Sequence, residues 1–182
     1  MTDILLTGCN GRMGNAVAKS VSENDNCAII AGVDVMGSKN NTEFPVFVSP
    51  DEFSGKCDVI IDFSSVALLD DLLDFAKSKK MPVVIATTGY SDAQIAKIKE
   101  ASQIIPVFFT FNMSIGVNLL CTLAKKAATI LGDGFDVEII EKHHNQKIDA
   151  PSGTAIMLGN AINSVFNDKY NYEYDRHSKR SK

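Results

Sequence analysis

The sequence that decides the fold is Gly8-Cys9-Asn10-Gly11-Arg12-Met13-Gly14. It follows a short apolar run, Asp3–Thr7, and precedes a segment whose apolar residues have helical spacing. Strand, glycine-rich turn and helix in this order indicate a dinucleotide-binding fold, because glycines let the backbone approach a pyrophosphate at a helix N-terminus. Asn10 stands where the usual second glycine would be, and Asn tolerates the left-handed conformation better than most residues. The alternative is that the glycines form only a tight strand–helix turn.

An acidic residue ends the second predicted strand. Ala28–Val33 is a near-continuous apolar run, and Asp34 follows it about 20 residues after Gly14, the usual spacing of a ribose-binding acid. A carboxylate there accepts hydrogen bonds from the ribose hydroxyls and repels a 2′-phosphate. We therefore expect NADH to be preferred, whereas the nearby cation of Arg12 leaves room for NADPH. The alternative is that Asp34 is an acid on the surface of a loop.

The first 110 residues continue as alternating strands and helices with short connections. This alternation predicts an α/β fold, a doubly wound Rossmann-type parallel sheet. Ser91 is suited to cap the third helix. The further predicted strands are Val46–Val48, Val59–Phe63, Pro82–Ala86 and Val107–Thr110, and the helices are Val66–Lys80 and about 92–102.

The pattern changes after residue 113. Ile115–Leu131 has the spacing of a long amphipathic helix, Asp136–Lys142 alternates like a half-exposed strand, and Thr154–Phe166 is again helical. We therefore predict a dinucleotide-binding domain over residues 1–113 and an α+β substrate and catalytic domain over residues 114–182.

Composition limits the classes of function. The 182 residues carry 18 Lys and Arg against 22 Asp and Glu, a formal net charge of −4, and 45% of them are hydrophobic. Nucleic-acid binding is not expected, because the chain lacks the excess of cations that phosphate contacts need. The apolar runs are broken before the ~18 residues of a membrane span, and the N-terminus lacks the basic start of a signal peptide. We expect a cytoplasmic protein without membrane or nucleic-acid partners.

The four cysteines do not form a metal-binding pattern, so no metal site is predicted. They are Cys9, Cys27, Cys57 and Cys121.

A second concentration of chemistry lies in Glu141–Ala155. Pro151 stands near the start of the last helix, and the N–H groups around Ser152, Gly153 and Thr154 are expected to point outward as an anion site. Lys147 adds a positive charge, and the adjacent imidazoles of His143 and His144 exchange protons near neutral pH. The segment predicts a small substrate with carboxylate groups, protonated by His143 or Lys147. The alternative is a solvated connector followed by an ordinary helix cap.

Further segments complete a family pattern. The run E-x-H-H-x-x-K-x-D-A-P-S-G-T-A, Glu141–Ala155, is close to diagnostic. From end to end the chain resembles the 4-hydroxy-tetrahydrodipicolinate reductase family, also called dihydrodipicolinate reductase. The other segments that carry the resemblance are the glycine loop, Asp62-Phe63-Ser64, Thr87-Thr88-Gly89 and Phe111–Asn118.

The resemblance implies NAD(P)H-dependent reduction of a cyclic imine dicarboxylate to tetrahydrodipicolinate in lysine and diaminopimelate biosynthesis. It implies that His143 is a proton donor and acceptor and Lys147 a proton donor. It also implies a substrate carboxylate site at His144, Ser152, Gly153 and Thr154. The cofactor contacts that it implies are Gly8, Cys9, Asn10, Gly11, Arg12, Met13, Asp34, Ala86, Thr87, Thr88, Thr110, Phe111, Asn112 and Met113.

Two departures from the family pattern matter. Many relatives carry an arginine directly after the acid, whereas this chain has Val35, which strengthens the expected preference for NADH. Family members also continue past the equivalent of Lys182, so the substrate domain is expected to be incomplete and the homotetramer of the family is in question. The alternatives are a truncated, non-catalytic dinucleotide-binding module and a different dehydrogenase on the same scaffold.

Overall fold

The computed structural model describes residues 1–38, 43–110, 112–147 and 150–174. The chain divides into two compact units, Met1–Thr110 and Phe111–Lys182. The domain boundary after residue 113 stays a prediction.

The first unit contains a six-stranded, entirely parallel sheet. Its strand order is β3-β2-β1-β4-β5-β6, so the chain winds outward from β1 first in one direction and then in the other. The strands are β1 Thr2–Thr7, β2 Cys27–Val33, β3 Val46–Phe47, β4 Val59–Asp62, β5 Val83–Ile85 and β6 Val107–Phe109. The predicted doubly wound sheet is confirmed, with strand ends shifted by a residue or two.

Helices cover both faces of this sheet. They are α1 Arg12–Ser22, α2 Leu69–Lys79 and α3 Asp92–Ala101. Side chains alternate along β1, so Leu5 belongs to the core cluster of α2 and α3, whereas Ile4 and Leu6 belong to the cluster that contains Val17 of α1. Ser91 caps α3 in a reciprocal capping box, as predicted. The helix predicted from Val66 begins as a 3₁₀ turn, Val66–Leu68, before α2.

The strand register aligns the carboxyl ends of the strands. Thr7 pairs with Val33 on one side and with Asp62 on the other, and Asp62 pairs in turn with Ile85. The residues that follow these strands therefore emerge at one edge of the sheet, where α/β proteins bind their ligands.

The second unit contains two helices, α4 Ile115–Leu131 and α5 Gly153–Val165, in contact with each other. The predicted strand Asp136–Lys142 is wrong: the segment has no regular secondary structure. Its alternation is that of a strand, but a strand also needs a hydrogen-bonding neighbour, and the described residues 112–147 and 150–174 contain no other strand.

Apolar side chains of α4 remain exposed. Ile115 is 87% exposed and Ile130 74%. By length and composition alone, Ile115–Gly134 is the one described helix that could cross a membrane. The predicted absence of a membrane span therefore stays a prediction. A single such helix is weak evidence, since core helices pass the same test, and the adjacent Lys125 and Lys126 disfavour insertion.

Candidate functional site

The glycine loop joins β1 to α1 through a tight turn. Gly8 has a φ of 73°, donates from its N–H to Val33 O at 2.8 Å and accepts from Gly11 N at 3.0 Å. A side chain at Gly8 would collide with the backbone of Phe63. Gly8, and not Asn10, is therefore the residue with a left-handed backbone conformation, because the chain changes direction directly after β1.

Asn10 holds the loop to the end of β2. Its backbone N–H donates to Asp34 Oδ2 at 3.0 Å, and its side-chain amide donates to Gly37 O at 2.8 Å. The other oxygen of Asp34 accepts from Met36 N at 3.1 Å. The acid predicted to bind the ribose thus also shapes the glycine loop, with lone pairs left on both carboxylate oxygens.

The first turn of α1 is open to an anion. Gly11 is the N-cap and supplies no side-chain hydrogen bond, and the first helical bond runs from Asn15 N to Gly11 O at 3.0 Å. The N–H groups at the start of the helix can therefore donate hydrogen bonds to a pyrophosphate. Arg12 and Met13 are exposed beside them, whereas Cys9 is buried against Gly32 in the core. The loop fits a dinucleotide, and Cys9 can contribute only its backbone.

A cavity of about 410 Å³ lies next to the loop at the carboxyl ends of β4 and β5. One wall is Phe63–Val66, the other is Ala86–Thr88, and Met13 borders both. Ala86, Thr87 and Thr88 are predicted cofactor contacts, whereas the wall Phe63–Val66 is not among the predicted site residues. The sequence motif Asp62-Phe63-Ser64 is the signal that could have indicated this wall.

In the second unit, the residues His143, His144 and Lys147 lie on an irregular segment ahead of α5. His143 Nδ1 is 3.5 Å from Glu141 Oε2. His144 Nδ1 accepts from Gln146 N at 3.1 Å, so neutral His144 carries its proton at Nε2 and can donate it outward. The Lys147 backbone N–H closes a turn on His144 O at 3.2 Å, which keeps both residues in one short loop.

The N-terminus of α5 is partly occupied by the protein itself. Ser152 is the buried N-cap, and its Oγ accepts from Ala155 N at 3.1 Å. Its own N–H donates to Glu141 Oε1 at 2.9 Å. The hydrogen bonds from Ser152 lower the pKa of Glu141. The expectation that the Ser152 N–H points outward is therefore wrong, because it donates to the carboxylate of Glu141. Of the three residues predicted to form the anion site, Gly153 and Thr154 stay a prediction.

Asn112 contacts the predicted substrate site. Its side-chain amide donates to Thr154 Oγ1 at 2.9 Å, and its Oδ1 accepts from Ser114 N at 2.8 Å. This arrangement leaves the Thr154 O–H able to donate to a ligand. Thr110 is half-buried after β6 and Met113 is exposed, while Phe111, also predicted as a cofactor contact, lies outside the described residues.

No group of three or more His, Cys, Asp or Glu side chains that could hold a metal occurs in the described ranges 1–38, 43–110, 112–147 and 150–174.

The sheet, the glycine loop and the acid after β2 define a Rossmann-type dinucleotide-binding protein. Two sequence models of one family match nearly the whole chain: "Dihydrodipicolinate reductase, N-terminus" matches residues 2–113, and "Dihydrodipicolinate reductase, C-terminus" matches residues 116–182. The chain belongs to the dihydrodipicolinate reductase family.

Individual relatives agree with this assignment. A 4-hydroxy-tetrahydrodipicolinate reductase of Caldanaerobacter subterraneus is 47% identical over 98% of this chain and 70% of its own length. The enzyme of that name from Clostridium tetani is 45% identical over 100% of this chain and 72% of its own length. A dipicolinate-bound dihydrodipicolinate reductase from Paenisporosarcina superposes with a TM-score of 0.74 at 27% identity, over 98% of this chain and 71% of that one. The chain thus spans about seven tenths of these relatives.

Proposed function

We propose that this chain is an NAD(P)H-dependent oxidoreductase that reduces 4-hydroxy-tetrahydrodipicolinate to tetrahydrodipicolinate in lysine and diaminopimelate biosynthesis. The observation that carries the proposal is the His143-His144-Lys147 loop directly ahead of the α5 N-terminus, in a chain whose other unit has a dinucleotide loop. Family membership and the close relatives named 4-hydroxy-tetrahydrodipicolinate reductase support it. The dehydrogenase alternatives on the same scaffold lack a specific observation in their favour.

The first unit holds the cofactor. The N–H groups of the first turn of α1, around Arg12 and Met13, bind the pyrophosphate, and Asp34 binds the adenosine ribose. When bound, the cofactor supplies the hydride. NADH is preferred over NADPH, because the carboxylate of Asp34 repels a 2′-phosphate and Val35 supplies no cation to offset it. The Ala86–Thr88 wall and Thr110 complete the cofactor contacts of this unit.

The second unit binds the substrate and supplies protons. Gly153 and Thr154 at the start of α5 bind one substrate carboxylate, and the Nε2–H of His144 donates to the same group. Lys147 is the proton donor to the imine nitrogen. His143, oriented by the nearby carboxylate of Glu141, exchanges protons with that site.

A lysine pair tests this assignment. Lys147→Ala is expected to lower turnover at least a hundredfold, the usual range for loss of a general acid, while the Kd for NADH stays unchanged. Lys142→Ala is the matched control, because Lys142 is an exposed lysine of the same segment outside the proposed site. Near-full activity of Lys147→Ala, or equal loss in both variants, would show that Lys147 is not the proton donor.

A second candidate function is a non-catalytic dinucleotide-binding module. The observation that favours it is the lack of strand structure at residues 136–142 together with the exposed apolar face of α4. NADH titration beside an activity assay of the same chain separates the two candidates. Binding with turnover supports the reductase, and binding without turnover supports the module.

The remaining parts of the proposal concern location and partners. The chain is proposed to act in the cytoplasm as a homotetramer, with a small dicarboxylate substrate and without membrane or nucleic-acid partners. Light scattering after size-exclusion chromatography measures the oligomeric state directly.

A further inference from the structure

The side chain of Asp62 is a fully buried carboxylate at the centre of the first unit. Asp62 is the last residue of β4, which lies between β1 and β5, and its exposure is 0%. In the part of the chain that the structure describes, no Lys, Arg or His side chain forms an ion pair with it. Its charge is therefore stabilised by hydrogen-bond donors alone.

These donors come from three neighbouring strand ends. Asp62 Oδ1 accepts from Thr7 Oγ1 at 2.5 Å and from Ser64 N at 3.2 Å, and the Ser64 hydroxyl also donates to it. Asp62 Oδ2 accepts from Thr87 Oγ1 at 2.7 Å and faces the Tyr90 hydroxyl at 3.5 Å. One carboxylate thus links the last residue of β1 to residues that follow β4 and β5.

Two of the donors belong to opposite walls of the cavity beside the glycine loop. Ser64 lies in the wall Phe63–Val66, and Thr87 lies in the wall Ala86–Thr88. Each wall is fixed to a different oxygen of Asp62, so the carboxylate sets the distance between them. Asp62 itself does not line the cavity and contacts it only through these two residues.

Joining the two walls of the cavity by hydrogen bonds does not require a negative charge at position 62. Burying a carboxylate without a cation is unfavourable, and an asparagine could join the same hydroxyls without that penalty. Burial and the charge of Asp62 together raise the pKa of Tyr90, whose hydroxyl lies 3.5 Å from Asp62 Oδ2. A function for the charge itself explains why this site carries an acid.

The fold indicates which group receives that charge. On a sheet of this order, a dinucleotide lies across the carboxyl ends of the strands, with its adenosine ribose at the acid after β2. The nicotinamide half would then extend toward the ends of β4 and β5, where the cavity lies. A nicotinamide ring is neutral when reduced and positively charged when oxidised, so a buried negative charge stabilises the oxidised form selectively.

We propose that Asp62 is a positioning residue that fixes both walls of this cavity and whose negative charge favours the oxidised form of the cofactor over the reduced form. The proposal rests on the dinucleotide-binding part of the proposed function. Because the product of hydride donation carries the positive charge, the same effect favours hydride donation.

The test compares the Kd for NAD⁺ with the Kd for NADH in the full chain. In Asp62→Asn, the ratio of the Kd for NAD⁺ to the Kd for NADH is expected to rise on the order of tenfold, because the substitution removes a buried negative charge that attracts only the oxidised ring. Thr7→Val is the matched control, because it removes one bond to Asp62 and keeps the charge. It is expected to weaken the binding of both forms by the same factor, at most about fivefold, the full value of one hydrogen bond, and to leave the ratio unchanged.

Each other outcome has a separate meaning. An unchanged ratio in Asp62→Asn, or an equal shift in Thr7→Val, overturns the proposal. If circular dichroism shows that Asp62→Asn is unfolded, Thr7→Val decides, and unchanged affinities for both forms overturn the positioning role. If the unmodified chain binds neither NAD⁺ nor NADH, the proposed dinucleotide binding fails instead.

Discussion

Gly14 lies where α1 passes closest to the glycine loop, and replacing it tests the geometry of that loop. A Cβ at this position would lie 2.7 Å from Cys9 Cα and 2.8 Å from Cys9 C, and it would overlap Gly8 O. These atoms are backbone and cannot rotate away. Overpacking of this kind costs about 1–3 kcal/mol. In a protein of this size each kcal/mol lowers Tm by roughly 2–4 °C, so Gly14→Ala is expected to lower Tm by about 2–12 °C.

The same substitution is expected to weaken cofactor binding. Relief of the clash must move the loop away from α1 and thereby shift the N–H groups that are proposed to bind the pyrophosphate. We expect the Kd for NADH to rise at least about tenfold, equivalent to ~1.4 kcal/mol. Thermal denaturation and fluorescence titration with NADH measure the two effects in one preparation.

Gly11→Ala is the control within the same loop. Gly11 has a φ of −72°, which any residue adopts, and the nearest atom to its Cβ would be Gly8 O at 3.2 Å. Its replacement is expected to change stability by less than about 1 kcal/mol. If Gly14→Ala retains the Tm and NADH affinity of the unmodified chain, or if Gly11→Ala is equally damaging, the argument from close backbone approach is refuted.

Three further perturbations test other parts of the molecule. Val35→Arg places a cation beside the ribose-binding acid, at a side chain 73% exposed, and is expected to raise kcat/KM with NADPH relative to NADH about tenfold; an unchanged ratio contradicts the assignment. The pKa of Glu141 is lowered chiefly by hydrogen bonds from Ser152, so its ionised form stabilises the fold above its unfolded pKa of about 4.3 and loses this effect as pH falls through the lower folded value. The Tm advantage of the unmodified chain over Glu141→Gln should therefore shrink as the pH falls below the unfolded pKa of about 4.3, as thermal melts will show. Leu72→Ala empties a fully buried site and is expected to cost about 2–5 kcal/mol in urea unfolding.

The first unit could be predicted from sequence because its signals are local. The strand, glycines and helix around Gly8 follow one another directly, and Ser91 is followed by Gln94, which completes a capping box within four residues. The long helix Ile115–Leu131 has the predicted bounds for the same reason: its apolar spacing lies within the helix itself.

The errors arose where structure depends on residues far apart in the chain. The segment 136–142 alternates correctly, but alternation cannot supply a neighbouring strand. The N–H of Ser152 is taken by Glu141, eleven residues earlier. The bonds of Asp62 to Thr7 and Thr87 span 55 and 25 residues. Such pairings follow from the register of the finished sheet, which no local pattern contains.

The hydrogen bond from Asn10 N to Asp34 couples the choice between NADH and NADPH to the geometry of the glycine loop. Replacing Asp34 to admit a 2′-phosphate would also remove an acceptor that holds the pyrophosphate loop, so a gain in selectivity would be accompanied by weaker binding of either cofactor. Position 35 carries no such second role, since its side chain projects into solvent. In this chain, a change of cofactor preference is therefore easier to reach by substituting Val35 than by substituting Asp34.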